Sequence, residues 1–174
     1  TLDLRSNNLT GSIPPEIGGL TSLTSLYLSY NDLTGSIPPE IGGLTSLRTL
    51  ELSYNDLTGS IPSEIVNLTS LTRLHLYNNN LSGQIPDNIC NLTNLTWSAT
   101  YNYQNSLIYD NQFCPSYPSC LEEFMGDQDL SSCLGYGCMA STACNYDGTA
   151  IYDAGSCWYA NEGCTCNDGI GCPY

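Results

Sequence analysis

The sequence has no lysine, three arginines and one histidine, against seventeen acidic residues among its 174. The resulting formal net charge is −14. A surface of this charge repels phosphate backbones and anionic head groups, and it keeps a secreted protein soluble. The composition therefore argues against nucleic acid and bare membrane as partners, and it favours cations or basic protein surfaces.

Long apolar runs are also missing. No stretch approaches the roughly 18 apolar residues that a membrane-spanning helix needs, so no direct insertion into a membrane is predicted. No signal peptide precedes Thr1. We expect the chain to be a mature, processed protein or a piece of a longer one.

Groups for catalysis are scarce. His75 is the single histidine, and no G-x-S-x-G segment accompanies it. A nucleophilic triad needs a base of this kind beside an activated nucleophile, so the sequence predicts a protein that is not an enzyme.

Cysteine is abundant, with nine of ten residues between Cys114 and Cys172. This density predicts a disulfide framework formed in an oxidising compartment. A zinc site at Cys157, Cys164, Cys166 and Cys172 is the alternative, and an oxidising compartment favours disulfides over it. The predicted disulfide cysteines are Cys90, Cys114, Cys120, Cys133, Cys138, Cys144, Cys157, Cys164, Cys166 and Cys172.

Five Asn-x-Ser/Thr sequons add to the indication of secretion, since such sites accept N-linked glycans in secreted proteins. Together with the cysteines they predict an extracellular or cell-surface glycoprotein. The predicted glycosylation sites are Asn8, Asn67, Asn80, Asn91 and Asn94.

Residues 1–96 contain four copies of a 24-residue repeat, L-x-L-x-x-N-x-L-[TS]-G-x-I-P-x-x-I-x-x-L-[TN]-[SN]-L. A unit of this length is too small to bury its own leucines, so units stack into a solenoid with a shared core. The alternating L-x-L segment predicts a short parallel strand. The recurrent asparagine is expected to bond backbone groups where each strand ends, and P-x-x-I-x-x-L predicts 3₁₀ or helical turns on the convex side.

The string SNNLTGSIPPEIGGLTSL resembles the plant-type leucine-rich repeats of receptor ectodomains and polygalacturonase-inhibiting proteins. The resemblance implies a right-handed solenoid of α/β type, with a parallel sheet on the concave face and a second short sheet along its flank. Inhibition of a polygalacturonase is a weaker implication, because that family has more repeats and cysteine caps at both ends.

A fifth, irregular unit follows the four repeats. Ile108, Asn111 and Phe113 recur 32 rather than 24 residues after their counterparts, and the extra residues fall in WSATYNYQN. We interpret it as the terminal capping repeat, which closes a solenoid domain at residues 1–120. Stacking brings Cys120 close to Cys90, and parallel strands lie about 4.8 Å apart, so these two cysteines are predicted to pair.

Residues 121–174 lose the repeat and are predicted to form a separate cysteine-rich module, held together largely by disulfides. The stretch CMASTACNYDGTAIYDAGSC resembles a small cysteine-bounded module of secreted proteins from aquatic microbes and algae. No cofactor is predicted. Calcium is an alternative at Asp127 and Asp129, or at the set Asn145, Asp147 and Asp153, because carboxylates suit this cation; a solvated acidic surface is favoured.

Side chains between the core leucines of each strand are expected to face the concave surface. Tyrosines with mixed charges are typical of recognition surfaces, while the serines and threonines of the same columns are also expected of plain solvated sheet. The binding candidates are Asp3, Arg5, Tyr27, Tyr30, Glu51, Tyr54, Arg73, His75 and Tyr77.

Two functions follow for an extracellular protein that acts through protein–protein contacts. An open solenoid end exposes leucines and a strand edge, which first predicts a structural subunit that assembles head to tail, with copies of itself, into a surface fibre or matrix. The alternative is a recognition ectodomain that binds a protein, peptide or glycan on the concave face.

Overall fold

A computed structural model describes residues 1–101, 104–131 and 133, together with the backbone of residues 136–137 and 152–153. The chain divides into two compact units, Thr1–Asp129 and Leu130–Tyr174. Each is described separately below.

The first unit is built from short strands and 3₁₀ helices that alternate along the chain. Four 3₁₀ helices, Pro15–Gly19, Pro39–Gly43, Ser63–Asn67 and Asp87–Asn91, each follow a proline in extended conformation. The strands are β1 (Leu2–Asp3), β2 (Thr10–Gly11), β3 (Ser25–Tyr27), β4 (Asp32–Gly35), β5 (Thr49–Glu51), β6 (Asp56–Gly59), β7 (Arg73–His75), β8 (Asn80–Gly83) and β9 (Gln112–Phe113).

The concave face is a parallel sheet in the order β1-β3-β5-β7. Its register follows the sequence repeat, because Leu2, Leu26, Leu50 and Leu74 are successive partners. The last three of these leucines are fully buried. The predicted leucine-rich repeat fold is therefore confirmed, with the L-x-L segments as its strands.

A second parallel sheet, β2-β4-β6-β8-β9, runs along the flank, as the plant-type resemblance implies. Gly83 of β8 pairs with Phe113 of β9. On the concave side His75 bridges to Leu107, 32 residues on. Both pairings span the eight additional residues of the fifth unit. This unit therefore still pairs with the fourth repeat on the concave side and along the flank, despite the insertion.

The 3₁₀ helices stack closely on the convex side, and this contact needs glycine. A Cβ atom on Gly18 would collide with the carbonyl oxygen of Glu40, and one on Gly42 would lie 2.6 Å from the carbonyl oxygen of Glu64. The same column carries Cys90 in the fourth repeat, where it forms a disulfide with Cys120. The predicted pairing of these two cysteines is confirmed.

The recurrent asparagines form a ladder that joins each repeat to the one before it. Asn55 is typical: its Oδ1 accepts from the Leu33 amide at 3.0 Å, and its Nδ2 donates to the carbonyl oxygens of Leu28 and Leu52. Because buried backbone groups need partners, this side chain replaces the bonds that the backbone loses at the strand end. The same pattern is made by Asn31, Asn79 and Asn111.

Gln128 continues the ladder beyond the fifth unit. Its Oε1 accepts from the Phe113 amide, and its Nε2 donates to the carbonyl oxygens of Ile108 and Met125. Met125 is almost fully buried, and the first compact unit extends to Asp129. The nine residues after the predicted boundary at residue 120 thus pack as a shortened unit on the solenoid, while the division into two functional domains stays a prediction.

The second unit contains a parallel pair of strands, β10 (Tyr136–Gly137) and β11 (Tyr152–Asp153). Cys114 of the first unit and Cys133 of the second are in disulfide bonds, and no described cysteine is free. Six cysteines assigned to the predicted framework lie outside the described residues: Cys138, Cys144, Cys157, Cys164, Cys166 and Cys172.

Within the described part of the chain, the structure contains no helix with the length and apolar character required to span a bilayer.

Candidate concave binding site

Two small residues, at equivalent positions of neighbouring repeats, lie at the centre of the concave face. Ser29 and Ser53 occupy the same column of the repeat, and both are buried. The equivalent positions are Arg5 in the first repeat and Tyr77 in the fourth. Because large side chains flank this pair of serines on both sides, the surface is depressed at the serines and forms a hollow.

The hollow has a volume of about 330 Å³. Seven of the nine binding candidates predicted from the sequence line it; Asp3 and Tyr54 do not. The lining residues are Arg5, Ser6, Tyr27, Ser29, Tyr30, Glu51, Ser53, Arg73, His75, Tyr77 and Tyr101.

Glu51 is the central charge of the site, with 12% of its side chain exposed. Its carboxylate lies 3.7 Å from the nearest guanidinium nitrogen of Arg5 and 3.7 Å from that of Arg73. Both separations are within reach of an ion pair and longer than a hydrogen bond. Burial raises the pKa of Glu51, and the two arginines oppose this rise.

Arg5 is held at the edge of the hollow. Its guanidinium bonds both carboxylate oxygens of Asp3, at 2.7 and 3.0 Å, and it lies over the Tyr27 ring at 4.4 Å from the centroid. The hydrogen bonds from Arg5 lower the pKa of Asp3. Stacking on an aromatic face suits arginine, so Tyr27 fixes the position of this cation.

His75 lies on the concave sheet but is 96% buried, unlike the open position expected for it. The fifth-unit insertion covers it: the His75 Nε2–H donates to the Asn105 carbonyl oxygen at 2.7 Å. Nδ1 faces Glu51 at 3.9 Å. Burial lowers the pKa of His75, so the ring is neutral at pH 7 and contributes a fixed dipole rather than a charge.

Tyrosine rings form a continuous row beside the hollow. Tyr30 and Tyr54 stack with centroids 4.4 Å apart, and Tyr77 meets Tyr54 edge to face at 5.4 Å. Tyr77 also stacks on Tyr109 at 4.9 Å and contacts the edge of Tyr101. Burial raises the pKa of Tyr77, so its hydroxyl stays protonated.

Two polar atoms in the site have no hydrogen-bond partner. They are Ser29 Oγ and Arg73 Nε, and each is shielded from water. The hydroxyl of Ser53, by contrast, interacts with Tyr77. Buried polar groups are usually paired, so both atoms have unused hydrogen-bonding capacity.

Sequence reasoning missed part of this site. Tyr101 and Tyr109 belong to the irregular fifth unit, and Ser29 and Ser53 belong to columns for which a recognition surface and a plain solvated sheet were both left open. The 32-residue spacing between Tyr77 and Tyr109, already seen for Ile108, Asn111 and Phe113, was the available signal for Tyr109. No comparable signal exists for Tyr101, because the insertion has no counterpart in other repeats.

The remaining predicted sites are surface positions. All five sequon asparagines are exposed, and Asn94 also donates to the Thr69 carbonyl oxygen. Among the described residues, no group of three or more His, Cys, Asp and Glu side chains lies close enough to hold a metal ion. The second predicted calcium set, Asn145, Asp147 and Asp153, lies outside the residues whose side chains are described.

Comparison with known proteins agrees with this architecture. Residues 1–108 match the family described as a leucine-rich repeat region. The chain belongs to the leucine-rich repeat family. No curated protein sequence matches this leucine-rich repeat chain.

Solved structures similar to this leucine-rich repeat chain include plant receptor ectodomains. One is the ectodomain of GASSHO1/SCHENGEN3 from Arabidopsis thaliana in complex with CASPARIAN STRIP INTEGRITY FACTOR 2, with 39% identity and a TM-score of 0.58 over 64% of this chain and 12% of that one. A second is the Arabidopsis HAESA ectodomain in complex with an IDA peptide hormone, with 34% identity and a TM-score of 0.57 over 68% and 22%.

A third is the Arabidopsis BIR2 ectodomain, with 35% identity and a TM-score of 0.59 over 67% of this chain and 57% of that one. The leucine-rich repeat chain thus spans about an eighth of the GASSHO1 ectodomain and less than two thirds of each of the three. The GASSHO1 and HAESA ectodomains are each solved in complex with a ligand, and the absence of enzyme activity in this chain stays a prediction.

Proposed function

We propose that this protein is an extracellular recognition module that binds a polypeptide ligand on its concave face, with the hollow as the centre of the contact. The observation that carries the proposal is the pair of unpartnered atoms in the hollow, Ser29 Oγ and Arg73 Nε. The similar ectodomains from GASSHO1 and HAESA are described in complex with a peptide or protein factor, which supports this class of ligand. The relatives favour recognition over the head-to-tail assembly that the sequence first predicted.

The concave face has the composition of an interaction surface. Tyr30 and Tyr54 are 51% and 40% exposed, and tyrosine supplies large contact area at low entropic cost. Arg5 beside them is exposed and oriented by Asp3. A ligand that lies across the strands therefore meets aromatic and charged groups whose positions are already fixed, which reduces the free energy lost on binding.

The extracellular setting is part of the same proposal. The Cys90–Cys120 disulfide indicates an oxidising compartment. Asn67 and Asn91 end two 3₁₀ helices on the convex side, and Asn8 and Asn80 lie near the flanking sheet. Glycans at these positions would leave the concave face open to a ligand.

The test is selection of a displayed library of random 12-residue peptides on the immobilised, natively glycosylated chain. Enriched peptides are synthesised, and their dissociation constants are measured for the wild type and for Tyr27→Ala. We expect at least tenfold weaker binding by Tyr27→Ala, because this substitution removes the ring that supports Arg5. Leu20→Ala, which truncates an exposed residue outside the hollow, is the matched control. Absence of enriched peptides, or equal binding by all three proteins, overturns the proposal.

A further inference from the structure

The hollow contains two buried polar atoms without a partner and one carboxylate that is held by ion pairs and can accept further hydrogen bonds. Arg73 Nε–H is a donor without an acceptor, and the Ser29 hydroxyl lacks any partner. The Glu51 carboxylate is an acceptor whose nearest guanidinium nitrogens stand at 3.7 Å, beyond hydrogen-bond distance. The three residues belong to successive repeats, on a diagonal of the concave face, and all of them line the same hollow.

Charge in the hollow is balanced. Arg5 and Arg73 are cations, Glu51 and the adjoining Asp3 are anions, and burial keeps His75 neutral. A carboxylate that entered would meet Glu51, and an ammonium or guanidinium would meet the two arginines. Like charges at such distances in a site with little water are strongly unfavourable, so ions of either sign are rejected.

A fully apolar side chain is also a poor occupant. It would leave Arg73 Nε and the Ser29 hydroxyl without hydrogen bonds, and it would displace water from the Glu51 carboxylate. Sites of this kind discriminate strongly against ligands that lack the matching polar group. The occupant must therefore be neutral, and it must offer a donor and an acceptor close together.

We infer that the hollow is a specificity pocket for one carboxamide side chain, asparagine or glutamine, of the bound polypeptide. The amide carbonyl accepts from Arg73 Nε, and the amide NH₂ donates to the Glu51 carboxylate and the Ser29 hydroxyl. The volume of about 330 Å³ accommodates a side chain of this size together with part of its backbone. This inference rests on the proposed function, and it names the ligand group that the site selects.

Access to the two unpartnered atoms requires side chains of the hollow to move. Ser29 Oγ and Arg73 Nε are both shielded from water. A carboxamide therefore reaches them only when neighbouring long side chains change rotamer.

The test uses the peptides enriched by library selection on the whole chain. Each Asn or Gln of a selected peptide is replaced in turn by Asp or Glu and by Leu, and dissociation constants are measured by calorimetry. We expect one position at which each replacement weakens binding at least tenfold. The Ser29→Ala and Arg73→Lys proteins should bind the parent peptide at least fivefold more weakly. Their matched controls, Ser25→Ala and Arg48→Lys, change serine and arginine residues outside the hollow and should bind like the wild type.

Glu51→Gln gives the sharpest readout. This substitution removes the anion and leaves two arginines, so the preference should reverse and the Asp or Glu peptide should bind more tightly than its amide parent. Thermal melting verifies that each variant is folded. Selected peptides that bind equally well with Asp or Glu at every position, or an unchanged preference in Glu51→Gln, overturn the inference and leave the proposed function standing. Failure to enrich any peptide overturns the proposed function itself.

Discussion

Tyr30 and Tyr54 stack at 4.4 Å while both hold the left-handed backbone conformation, with φ of 60° and 54°. The same column contains Ser6, Asn78 and Asp110, also at positive φ, so the repeat imposes this conformation on every unit. Residues other than glycine and asparagine adopt it at a cost of about 1–2 kcal/mol. The tyrosines are therefore present despite the backbone, which favours a role in binding over one in stability.

The first prediction separates these two contributions at Tyr54. Tyr54→Ala loses the ring contacts with Tyr30 and Tyr77 and keeps the backbone strain, so the free energy of unfolding should fall by about 1–2 kcal/mol. Tyr54→Asn loses the same contacts but relieves the strain, and it should be more stable than Tyr54→Ala by roughly 1 kcal/mol. Urea denaturation measures both. An alanine variant as stable as the asparagine variant would contradict the assignment of strain.

The second prediction concerns the asparagine ladder. Asn55→Ala leaves the Leu33 amide without its side-chain acceptor, while the Leu28 and Leu52 carbonyl oxygens keep their bonds from Asn31 and Asn79. Because a buried unpaired group costs about 1–3 kcal/mol, the free energy of unfolding should fall by about 2 kcal/mol.

Asn7→Ala is the matched control, since Asn7 is exposed and bonds only the nearby Leu4 and Arg5 carbonyl oxygens. It should cost less than about 1 kcal/mol, because water replaces the lost bonds. Equal destabilisation by Asn7→Ala and Asn55→Ala would show that the ladder bonds between repeats contribute little.

The third prediction concerns the Cys90–Cys120 disulfide, which closes a 30-residue separation. Constraint of the unfolded chain by a loop of this length is worth about 3–4 kcal/mol. The double variant Cys90→Ser/Cys120→Ser should lose that amount in chemical denaturation with the other disulfides intact. Val66→Ser, a polar substitution in the same helical column one repeat earlier, controls for polarity at this surface. A loss no larger than that of Val66→Ser would contradict the prediction.

The fourth prediction is a pH dependence that originates at His75 and Glu51. The folded-state pKa of His75 lies below its ordinary value of 6.5, so the folded protein resists protonation and its stability falls as the pH decreases below about 6.5. The pKa of Glu51 lies above 4.5 in the folded state, so its contribution is greatest below pH 4.5 and is lost as the pH rises. Between pH 4.5 and pH 6.5, a decrease in pH therefore lowers the stability through His75 and raises it through Glu51.

Denaturation of the wild type, Glu51→Gln and His75→Gln at pH values from 4 to 8 tests this. Glu51→Gln removes both the opposing titration and the anion that stabilises protonated His75, so the loss of stability toward low pH should become steeper. His75→Gln should remove that loss. A Glu51→Gln profile parallel to that of the wild type would contradict the coupling between the two side chains.

The repeated part of the fold followed from the sequence because ten columns recur at a fixed spacing. Leu26 and Leu50 mark the concave strands, and the asparagine column was correctly expected to bond the backbone at strand ends. Recurring positions of this kind define both the repeat length and the buried face. They also predicted the concave orientation of seven side chains that line the hollow.

The irregular parts were harder to predict, for physical reasons. Gln128 performs the ladder role only 17 residues after Asn111 and with a different amide side chain, so neither spacing nor residue type reveals it. The burial of His75 depends on Asn105, in an insertion without a counterpart in the other repeats. The depth of the hollow depends on Ser29 and Ser53 being small beside large neighbours, which is a property of the stacked surface rather than of any one repeat.

The asparagine ladder links only adjacent repeats, whereas the hollow draws residues from all four repeats and from the fifth unit. Removal of residues 25–48 would bring Asn55 next to Leu9 and Leu4, the partners that Asn31 has now, so the backbone bonding would be restored one repeat shorter. The same deletion would eliminate Tyr27 and Ser29 from the hollow. The requirements of folding and of specificity are thus separate in this chain: whole repeats can be gained or lost while the backbone bonding is kept, and each such event changes the surface presented to a ligand.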